Sequence, residues 1–344
     1  MADTFVDEML PFLLRRDNVA RYENGKVYIG NRRKYPFEKT EECCEDADSV
    51  AKAITSMVTQ GGGQWIAAAY AMAMEARKVE DKASEEIYGF LDGMRVRLCN
   101  TRPTNTTLSK RLNEIMGIIK DSSGRKESVE DAIVKWVDKT RDSDYEEFAR
   151  MGRIGANLIE DGDGILTVCF AEMSFLFALA YAKSDGKDIR VFTPETRPYL
   201  QGARLTAPSI HELGIPVQII SDNMPGFLLS QGKIQKYFTA ADLVTLDGYV
   251  VNKIGTFQNA VCASYHKIPY FAFCREPDSN KADHTSIVIE ERNPEELKKI
   301  CGIPTTVPDI GAYYPAFDIT PPHLVAGVIT NKGIINPFSL KMYF

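Results

Sequence analysis

The feature that most constrains the fold of this 344-residue chain is a set of four short apolar runs in its second half. These runs alternate with stretches of helical character and read ILTVCF (165–170), IRVFT (189–193), VQIIS (217–221) and YFAFC (270–274). Uninterrupted apolar runs are typical of strands buried on both faces of a parallel sheet. Their alternation with helices predicts a Rossmann-like α/β domain, which we place at 126–344. Because ligands bind beyond the carboxyl ends of parallel strands, functional residues are expected directly after each run.

The first part of the chain, 1–125, has a different pattern. Residues 20–37 form two alternating segments around Asn24-Gly25, a strong signal for a β-hairpin. Helical periodicity follows at 47–57, 65–76 and 84–93. The charged stretch KDSSGRKESVE (120–130) predicts a linker. The sequence therefore predicts an N-terminal helical domain with a small β-hairpin, followed by the α/β domain.

Charge and composition exclude several classes of partner. The chain has 41 Lys and Arg against 47 Asp and Glu, a net charge of −6, and no block of basic residues. We therefore expect no nucleic-acid partner, since such proteins usually present a basic face. The start of the chain lacks the basic segment of a signal peptide, and its longest mostly apolar stretch, 170–182, is too short to span a membrane. An odd number of cysteines, seven, favours reduced thiols, so we expect a cytoplasmic protein without a membrane partner.

Two residues beside predicted strand ends are candidates for chemistry. Cys169 precedes a predicted helix that starts near Glu172, whose N–H groups favour a thiolate. The alternative is a small apolar residue in a buried strand. Asp242 ends the stretch YFTAAD, where poorly solvated surroundings after Ala240-Ala241 would keep it protonated as a general acid. The alternative is an aspartate that caps a helix or a turn.

Three segments contain groups that suit an anionic ligand. ETRPYLQGAR (195–204) supplies Arg197 and Gln201 after a predicted strand, and NKIGT (252–256) supplies a lysine and a glycine before a helix. The alternative for the arginine is an interdomain or intersubunit salt bridge. QGGGQW (60–65) joins two predicted helices, and its glycines allow a ligand to approach the backbone closely. It lacks the GxGxxG order, so a dinucleotide site is not predicted.

No metal or organic cofactor is expected. The chain contains no CxxC spacing, and Cys262 and His266, four residues apart on a predicted helix, have no third ligand nearby in the sequence. Packing on one helix face is therefore the favoured interpretation of that pair. Neither GxxxxGK[ST] nor GxSxG occurs, which disfavours a P-loop nucleotidase and a Ser-His-Asp hydrolase.

Longer motifs resemble the methylthioribose-1-phosphate isomerase family, which is related to archaeal ribose-1,5-bisphosphate isomerases and to the regulatory subunits of translation initiation factor 2B. The matching segments cover nearly the whole chain and include YENGKVYIGNRRKYP, AITSMVTQGGG, TRPTNTTL, LTVC, ETRPYLQGARLTA, GIPVQIISDNMPGFLLSQGKI, AADLVTLDGYVVNKIGT and AYYPAFDITP. The most specific part is TRPxxQGARLTA together with NKIGT. The resemblance implies an N-terminal helical domain with a small β-hairpin, a C-terminal Rossmann-like domain and a homodimer.

The resemblance also implies an activity and a set of site residues. Cys169 and Asp242 are implied to be catalytic, and a small phosphorylated sugar is implied to contact Gln60, Gly61, Gly62, Arg102, Gln201, Asn252 and Lys253. The implied reaction converts an aldose 1-phosphate, methylthioribose 1-phosphate or a close analogue, to the ketose 1-phosphate in methionine salvage, by proton transfer or by a hydride shift and without a cofactor. Alternative substrates are ribose 1,5-bisphosphate and 5-deoxyribose 1-phosphate. A further alternative is a non-catalytic regulatory subunit that binds a sugar phosphate or a nucleotide, like those of initiation factor 2B.

Three positions depart from the family's pattern. QGG (60–62) stands where the family has Arg-Gly-Ala, so a guanidinium that binds phosphate is missing. Loss of one such contact costs about 2–3 kcal/mol of binding free energy unless another cation replaces it. Val168 and Phe170 flank the cysteine where the family has His and Asn, and this apolar setting is expected to raise the pKa of the thiol. Tyr314 replaces the asparagine of the family's N-P-A-F-D motif.

Overall fold

The computed structural model describes residues 7–102, 106–125 and 127–344. The chain forms two compact units. The first consists of Phe12–Tyr145 with the chain before Met9, and the second of Glu146–Phe344 with Met9–Pro11.

The first unit combines a three-stranded antiparallel sheet with a cluster of helices. Its strands, in spatial order, are β1 (Ala20–Glu23), β2 (Lys26–Gly30) and β3 (Glu41–Cys44). After a 3₁₀ turn at Phe12–Leu14, its helices are α1 (Arg16–Val19), α2 (Ala47–Thr55), α3 (Gly63–Arg77), α4 (Ser84–Cys99), α5 (Thr106–Arg125) and the first part of α6 (Val129–Ala156). The predicted hairpin is confirmed: β1 pairs with β2 around Asn24 and Gly25, whose φ angles are +54° and +75°.

The structure corrects the predicted linker at 120–130. Residues up to Arg125 belong to α5, and α6 begins at Val129. Ser122 and Ser123 are buried, and the Ser123 hydroxyl donates a hydrogen bond to the Ile119 carbonyl (2.8 Å). Lys120, Asp121 and Arg125 occupy the exposed side of α5, whose other side is packed, so their charge does not mark a linker.

The sequence predicts a domain boundary after residue 125, while the two compact units meet inside α6. Val129, Ile133 and Val137 on the first half of α6 belong to the apolar core of the first unit. Packing therefore assigns the start of this helix to the first unit.

The second unit is built on a parallel sheet. Its strands are β4 (Gly164–Leu166), β5 (Arg190–Pro194), β6 (Val217–Ile220), β7 (Lys236–Ala240), β8 (Leu243–Val244), β9 (Val250–Lys253), β10 (Tyr270–Phe273), β11 (Lys299–Ile300), β12 (Ile303–Pro304), β13 (Phe317–Thr320), β14 (Gly327–Thr330) and β15 (Gly333–Ile335). Within the described residues the main sheet has seven strands in the order β15-β14-β10-β7-β4-β5-β6, and only the β14–β15 pair is antiparallel. A small antiparallel sheet has the order β13-β9-β8, and β11 pairs with β12.

Helices and turns connect these strands. They are α7 (Glu172–Ser184), a π-helical turn at Gly202–Thr206 that continues into α8 (Ala207–Glu212), α9 (Pro225–Ser230), α10 (Thr256–Tyr265), and 3₁₀ turns at His284–Ser286, Pro294–Lys298, Pro322–Leu324 and Pro337–Met342. No helix in the described ranges combines the length and the apolar character that a bilayer span requires.

The predicted fold class is confirmed, with one correction at the first strand of the sheet. The four apolar runs coincide with β4, β5, β6 and β10. However, β4 ends at Leu166, so Cys169 lies in the loop that leads to α7 rather than in a strand. The antiparallel sheet that carries Asn252 and Lys253 on β9 was not predicted, because its strands are short and β13, one partner of β9, is distant in sequence.

Candidate active site

Cys169 is held in an unusual backbone conformation just beyond the carboxyl end of β4. Its φ angle is +62°, in the left-handed region that side chains other than glycine rarely adopt. Its N–H donates a hydrogen bond to the Thr196 hydroxyl (3.1 Å), and its carbonyl accepts one from the Thr206 hydroxyl. The residue is partly exposed between buried Val168 and Phe170. Such strained conformations cluster at functional sites, where the surrounding structure enforces them.

The segment predicted to bind an anion, 195–204, forms a loop beside Cys169. Thr196 and Leu200 in this loop also have positive φ angles, +63° and +66°. Gln201 is buried, and its Oε1 has no hydrogen-bond partner within the described chain. A buried acceptor without a partner is rare in native proteins and is typical of a site that a ligand completes.

Arg197, the other candidate in this loop, has a structural use. Its guanidinium donates hydrogen bonds to the backbone carbonyls of Leu297 (2.9 Å) and Lys299 (3.0 Å). These bonds commit the guanidinium to backbone carbonyls rather than to an anion, whereas the alternative of a salt bridge to another subunit stays a prediction. Its side chain ties two distant segments of the second unit together.

The π-helical turn after Gln201 depends on the absence of a side chain at Gly202. An added Cβ there would lie 1.8 Å from the carbonyl oxygen of Pro194. We expect Gly202→Ala to lower the free energy of unfolding by about 3 kcal/mol or more, because backbone would have to move. Gly93→Ala is the control: Gly93 is an exposed glycine in α4 with open space around it. This control should stabilise the protein by about 0.5–1 kcal/mol. Urea unfolding followed by circular dichroism measures both, and equal stabilities would contradict the prediction.

Lys253 on β9 presents a buried amine without a hydrogen-bond partner. The residue is 3% exposed, and among the described residues no acceptor bonds its Nζ. Its Nζ faces two aromatic rings: the ring centroids of Phe317 and Tyr314 lie 5.1 and 6.0 Å away. Asn252, its neighbour on β9, is also buried and donates a hydrogen bond to the Thr256 hydroxyl (3.1 Å). A buried amine without a hydrogen-bond partner is costly, which indicates a place for an anionic group.

The electrostatics of the site link three of the predicted residues. Burial raises the pKa of Cys169 to about 11, as its apolar neighbours led us to expect; Lys253 lowers it and Asp242 raises it. Burial lowers the pKa of Lys253, against the influence of Cys169 and Asp242. The structure therefore brings the thiol, the amine and the carboxylate within electrostatic reach of one another. Asp242 itself is exposed, so the poorly solvated surroundings predicted for it are not found.

The helix N-terminus after NKIGT is already occupied by a carboxylate. Asp318 on β13 accepts hydrogen bonds from the N–H groups of Gly255 (2.7 Å) and Phe257 (3.1 Å) at the start of α10. Asp318 thus uses two of the N–H groups at this helix start. Lys253 stays the predicted anion contact of this segment.

The buried carboxyl group of Asp318 should make the free energy of unfolding depend on pH. Burial raises its pKa from the ordinary 3.8 to about 6, although the two backbone donors and Lys253 oppose the shift. The folded protein thus holds this proton more tightly than the unfolded chain, and the stability gained is lost as the pH rises through about 6. The unfolding free energy of the wild type, relative to Asp318→Asn, should fall by up to about 3 kcal/mol between about pH 4 and pH 7. Urea unfolding at each pH measures this difference, and a rise with pH would contradict the assignment.

Arg292 and Tyr314 belong to the same region, and sequence reasoning did not single out the arginine. The Arg292 guanidinium lies 5.7 Å from the Phe317 ring centroid and donates a hydrogen bond to Glu290 (2.9 Å). Tyr314 is buried, and burial raises the pKa of its phenol, while Arg292 lowers it and Cys169 raises it. The only available signal was the departure at Tyr314 from the family's asparagine, since Arg292 follows no strand of the main sheet.

Four of the predicted binding residues belong to the first unit. Gln60 is buried, and its Nε2 has no hydrogen-bond partner in the described part of the chain. Gly61 has a φ angle of +57°, and Gly62 precedes the first residue of α3. Arg102 is near this loop, since its Nη1 lies 3.2 Å from the Sδ atom of Met57. Their participation in one site with Cys169 stays a prediction.

Comparison with known proteins places this fold and these motifs in a family. The model of the initiation factor 2 subunit family matches residues 61–337. The chain belongs to this family. A methylthioribose-1-phosphate isomerase from Thermosipho melanesiensis is 37% identical over 330 residues, which cover 92% of this chain and 94% of the relative.

Two solved structures of the family are similar over nearly the full length. The 5-methylthioribose 1-phosphate isomerase from Pyrococcus horikoshii has a TM-score of 0.88 at 31% identity and covers 99% of this chain and 97% of its own. Subunit delta of the translation initiation factor eIF-2B from A. fulgidus has a TM-score of 0.80 at 31% identity, with 93% and 96% covered. The resemblance drawn from the motifs is thereby confirmed. Both isomerases and initiation factor subunits of the family share this fold.

Proposed function

We propose that this chain is an aldose–ketose isomerase that acts on an aldose 1-phosphate, with methylthioribose 1-phosphate or a close analogue as substrate. The observation that carries the proposal is the buried Lys253 amine, which has no hydrogen-bond partner among the described residues and interacts electrostatically with Cys169 and Asp242. The names of the relatives with similar length and sequence support the same reaction. Such an enzyme would serve methionine salvage in the cytoplasm.

The proposed chemistry follows from the blocked anomeric oxygen of the substrate. Because this oxygen carries the phosphate, the ring cannot open as a free hemiacetal does. We assign Asp242 to protonate the ring oxygen while the bond from C1 to that oxygen breaks and leaves its electron pair on the oxygen. Because Asp242 is exposed in the free protein, this step requires the bound substrate to exclude water from the carboxyl group and favour its protonated form. Cys169, as the thiolate, then takes the proton from C2, and the C–H electron pair forms the C1–C2 double bond of an enol. Return of this proton to C1, with loss of the C2 hydroxyl proton to Asp242, gives the ketose 1-phosphate.

The raised pKa of Cys169 bears on the competing route, a hydride shift. With a pKa of about 11, the thiol form prevails in the free protein at neutral pH. Proton transfer therefore requires a thiolate, whose formation Lys253 favours. In the hydride shift, hydrogen moves from C2 to C1 with its electron pair and Cys169 stays protonated. Reaction in deuterated water distinguishes them: deuterium at C1 of the product supports proton transfer, and its complete absence excludes a freely exchanging enol.

A panel of substrates tests the function. Purified protein is incubated with methylthioribose 1-phosphate, ribose 1,5-bisphosphate and 5-deoxyribose 1-phosphate, and the ketose is detected by NMR. Ketose from any of the three supports an isomerase, and the relative kcat/KM values identify the group at C5. Binding of these compounds without conversion supports the second candidate, a regulatory sugar-phosphate-binding subunit. That candidate is favoured by the likeness to the A. fulgidus initiation factor subunit.

The first unit is proposed to contribute contacts to the phosphate. Gln60, Gly61, Gly62 and Arg102 are the residues that the family's pattern assigns to this role. The unpartnered Gln60 amide and the positive φ angle of Gly61 support a loop shaped for a ligand. Because Gln60 replaces a guanidinium, Arg102 is the cationic residue of this unit that the family's pattern assigns to the phosphate.

A homodimer is proposed through an exposed apolar face of the second unit. Phe257, Val261 and Tyr265 lie one turn apart on α10 and are 41%, 43% and 83% exposed, and Phe227 on neighbouring α9 is 66% exposed. Exposed apolar patches of this kind mark interaction sites. Light scattering of the wild type should give twice the 38.5 kDa chain mass, and Tyr265→Glu should weaken the dimer. A monomeric wild type would contradict the proposal.

A further inference from the structure

The backbone of Cys169 is held on both sides by threonine hydroxyls. Beyond the end of β4, the Cys169 N–H and carbonyl have no strand partner in the main sheet among the described residues, and the hydroxyls of Thr196 and Thr206 take that place. Both threonines are buried, at 2% and 1% exposure. The Thr196 hydroxyl also donates to the carbonyl of Pro194 (3.2 Å), which orients its lone pairs towards Cys169. The two hydroxyls fix the peptide groups before and after the cysteine.

Asp222 fixes Thr196 in its own strained conformation. One carboxylate oxygen of Asp222 accepts the Thr196 N–H (2.7 Å), and the other accepts the Arg197 N–H (2.7 Å). These two bonds span the residue whose φ angle is +63°. A carboxylate that accepts two backbone N–H bonds restrains the local φ and ψ angles more firmly than one neutral acceptor would.

Thr206 is held in place by a different structural element. It ends the π-helical turn Gly202–Thr206, a rare element that occurs frequently at functional sites. The turn packs so closely on Pro194 that only glycine fits at residue 202. Two consecutive parts of one segment, the Asp222-bound loop at Thr196 and the π-helical turn that ends at Thr206, therefore contact the two sides of one cysteine.

We propose that Thr196 and Thr206 are positioning residues that hold Cys169 in its left-handed conformation, and that Asp222 acts in the same network by holding Thr196. This inference rests on the proposed function, because it concerns the contacts that orient the thiol assigned to the reaction. The left-handed φ angle sets the direction of the Cα–Cβ bond, so release of the loop would turn the thiol away from its neighbours. A displacement of about 1 Å at a reacting group can cost about 100-fold in rate.

The test compares one substitution that removes the hydroxyl of Thr196 with one that keeps it. Thr196→Val keeps the branched shape and removes the hydroxyl, whereas Thr196→Ser keeps the hydroxyl. We expect Thr196→Val to lower kcat about tenfold or more with KM within about twofold, and Thr196→Ser to keep kcat within about threefold. Thr206→Val should act like Thr196→Val. Asp222→Asn, which keeps one acceptor oxygen, should have a smaller effect.

A second readout does not depend on turnover. The groups that influence the Cys169 thiol are Lys253, Asp242, Glu172 and Tyr314. Alkylation of Cys169 by iodoacetamide, measured by peptide mass spectrometry against pH, should have its midpoint near the pKa of about 11 in the wild type. In Thr196→Val the released thiol gains solvent, so the midpoint should move down towards the ordinary value of 9.

The two readouts separate failure of this inference from failure of the proposed function. If the wild type converts no sugar phosphate but the midpoint shifts in Thr196→Val, the function is wrong and the positioning network stands. If the wild type is active and Thr196→Val keeps both its kcat and its midpoint, the network is wrong. A loss of thermal stability with unchanged kcat in folded protein shows a merely structural role. Thr206→Val and Asp222→Asn provide the same comparison if Thr196→Val does not fold.

Discussion

Replacement of Cys169 by serine is expected to lower kcat for ketose formation by about 10²- to 10⁴-fold, the range over which positioned acid–base groups contribute. A serine hydroxyl retains the size of the side chain but ionises far less readily than a thiol. The threonine hydroxyls that bind the Cys169 backbone are unaffected, so the loop should keep its conformation. The KM value should change little, since phosphate contacts are assigned to other residues. NMR detection of the ketose at saturating substrate measures the effect.

Cys274 supplies a matched control. It directly follows β10 in the same sheet, is buried, and its Sγ donates a hydrogen bond to the Glu276 carbonyl (3.1 Å). Burial raises its pKa to about 12, so its thiol is as poorly ionised as that of Cys169. Cys274→Ser should retain kcat within about threefold. If Cys274→Ser were inactive and Cys169→Ser were active, the reacting thiol would be Cys274 after β10, and the assignment to Cys169 would be wrong.

Lys253→Met is expected to lower kcat/KM by about 10- to 100-fold, because one charge-assisted contact to an anionic substrate contributes about 1.5–3 kcal/mol. Since Lys253 lowers the pKa of Cys169, its removal should also raise the pH at which that thiol is alkylated. Stability should change in the opposite direction to activity. Methionine removes a buried cation that has no hydrogen-bond partner within the described residues, so the free energy of unfolding should rise by about 1–2 kcal/mol.

The combination of lost activity and gained stability distinguishes a functional lysine from a structural one. Lys233→Met replaces an exposed lysine of the same unit and should leave both quantities unchanged. Isomerase assays, urea unfolding and the alkylation profile measure the three effects. If Lys253→Met were active and less stable than the wild type, Lys253 would be part of the packing alone.

The sequence predicted the fold better than it predicted the local structure of the site. Mostly apolar runs identify strands that are buried on both faces of a sheet, and this signal located β4, β5 and β10. It also located β6, although that strand lies at the edge of the sheet and exposes Gln218 and Ile219. The end of β4 could not be predicted. Val168 and Phe170 are as apolar as a strand, yet the chain leaves the sheet before them to form the left-handed turn at Cys169. That turn depends on hydroxyls of residues about thirty positions away, a contact that periodicity does not encode.

The sequence identified several charged residues of the site, but it did not predict which groups they contact. Lys253 was identified from NKIGT, but the helix start beside it is bonded to Asp318, which lies on another strand of the small sheet. Arg197 bonds to backbone carbonyls instead of an anion, and Arg292 entered the site without a sequence signal. An ion pair or a cap depends on distance in space, and one sequence without its fold gives only distance along the chain.

By itself the sequence determined the parallel sheet of the second unit, the hairpin of the first, and the family, through motifs such as TRPxxQGARLTA and NKIGT. It also singled out Cys169, Asp242 and Lys253, whose mutual electrostatic interaction is visible only in the folded chain. The tertiary structure alone decided that the amine of Lys253 is buried without a hydrogen-bond partner in the described part of the chain, and that Cys169 adopts a left-handed turn. The physical reason is the range of the interactions. Apolar patterning acts between neighbours in sequence, whereas desolvation and hydroxyl contacts arise only after distant segments pack together.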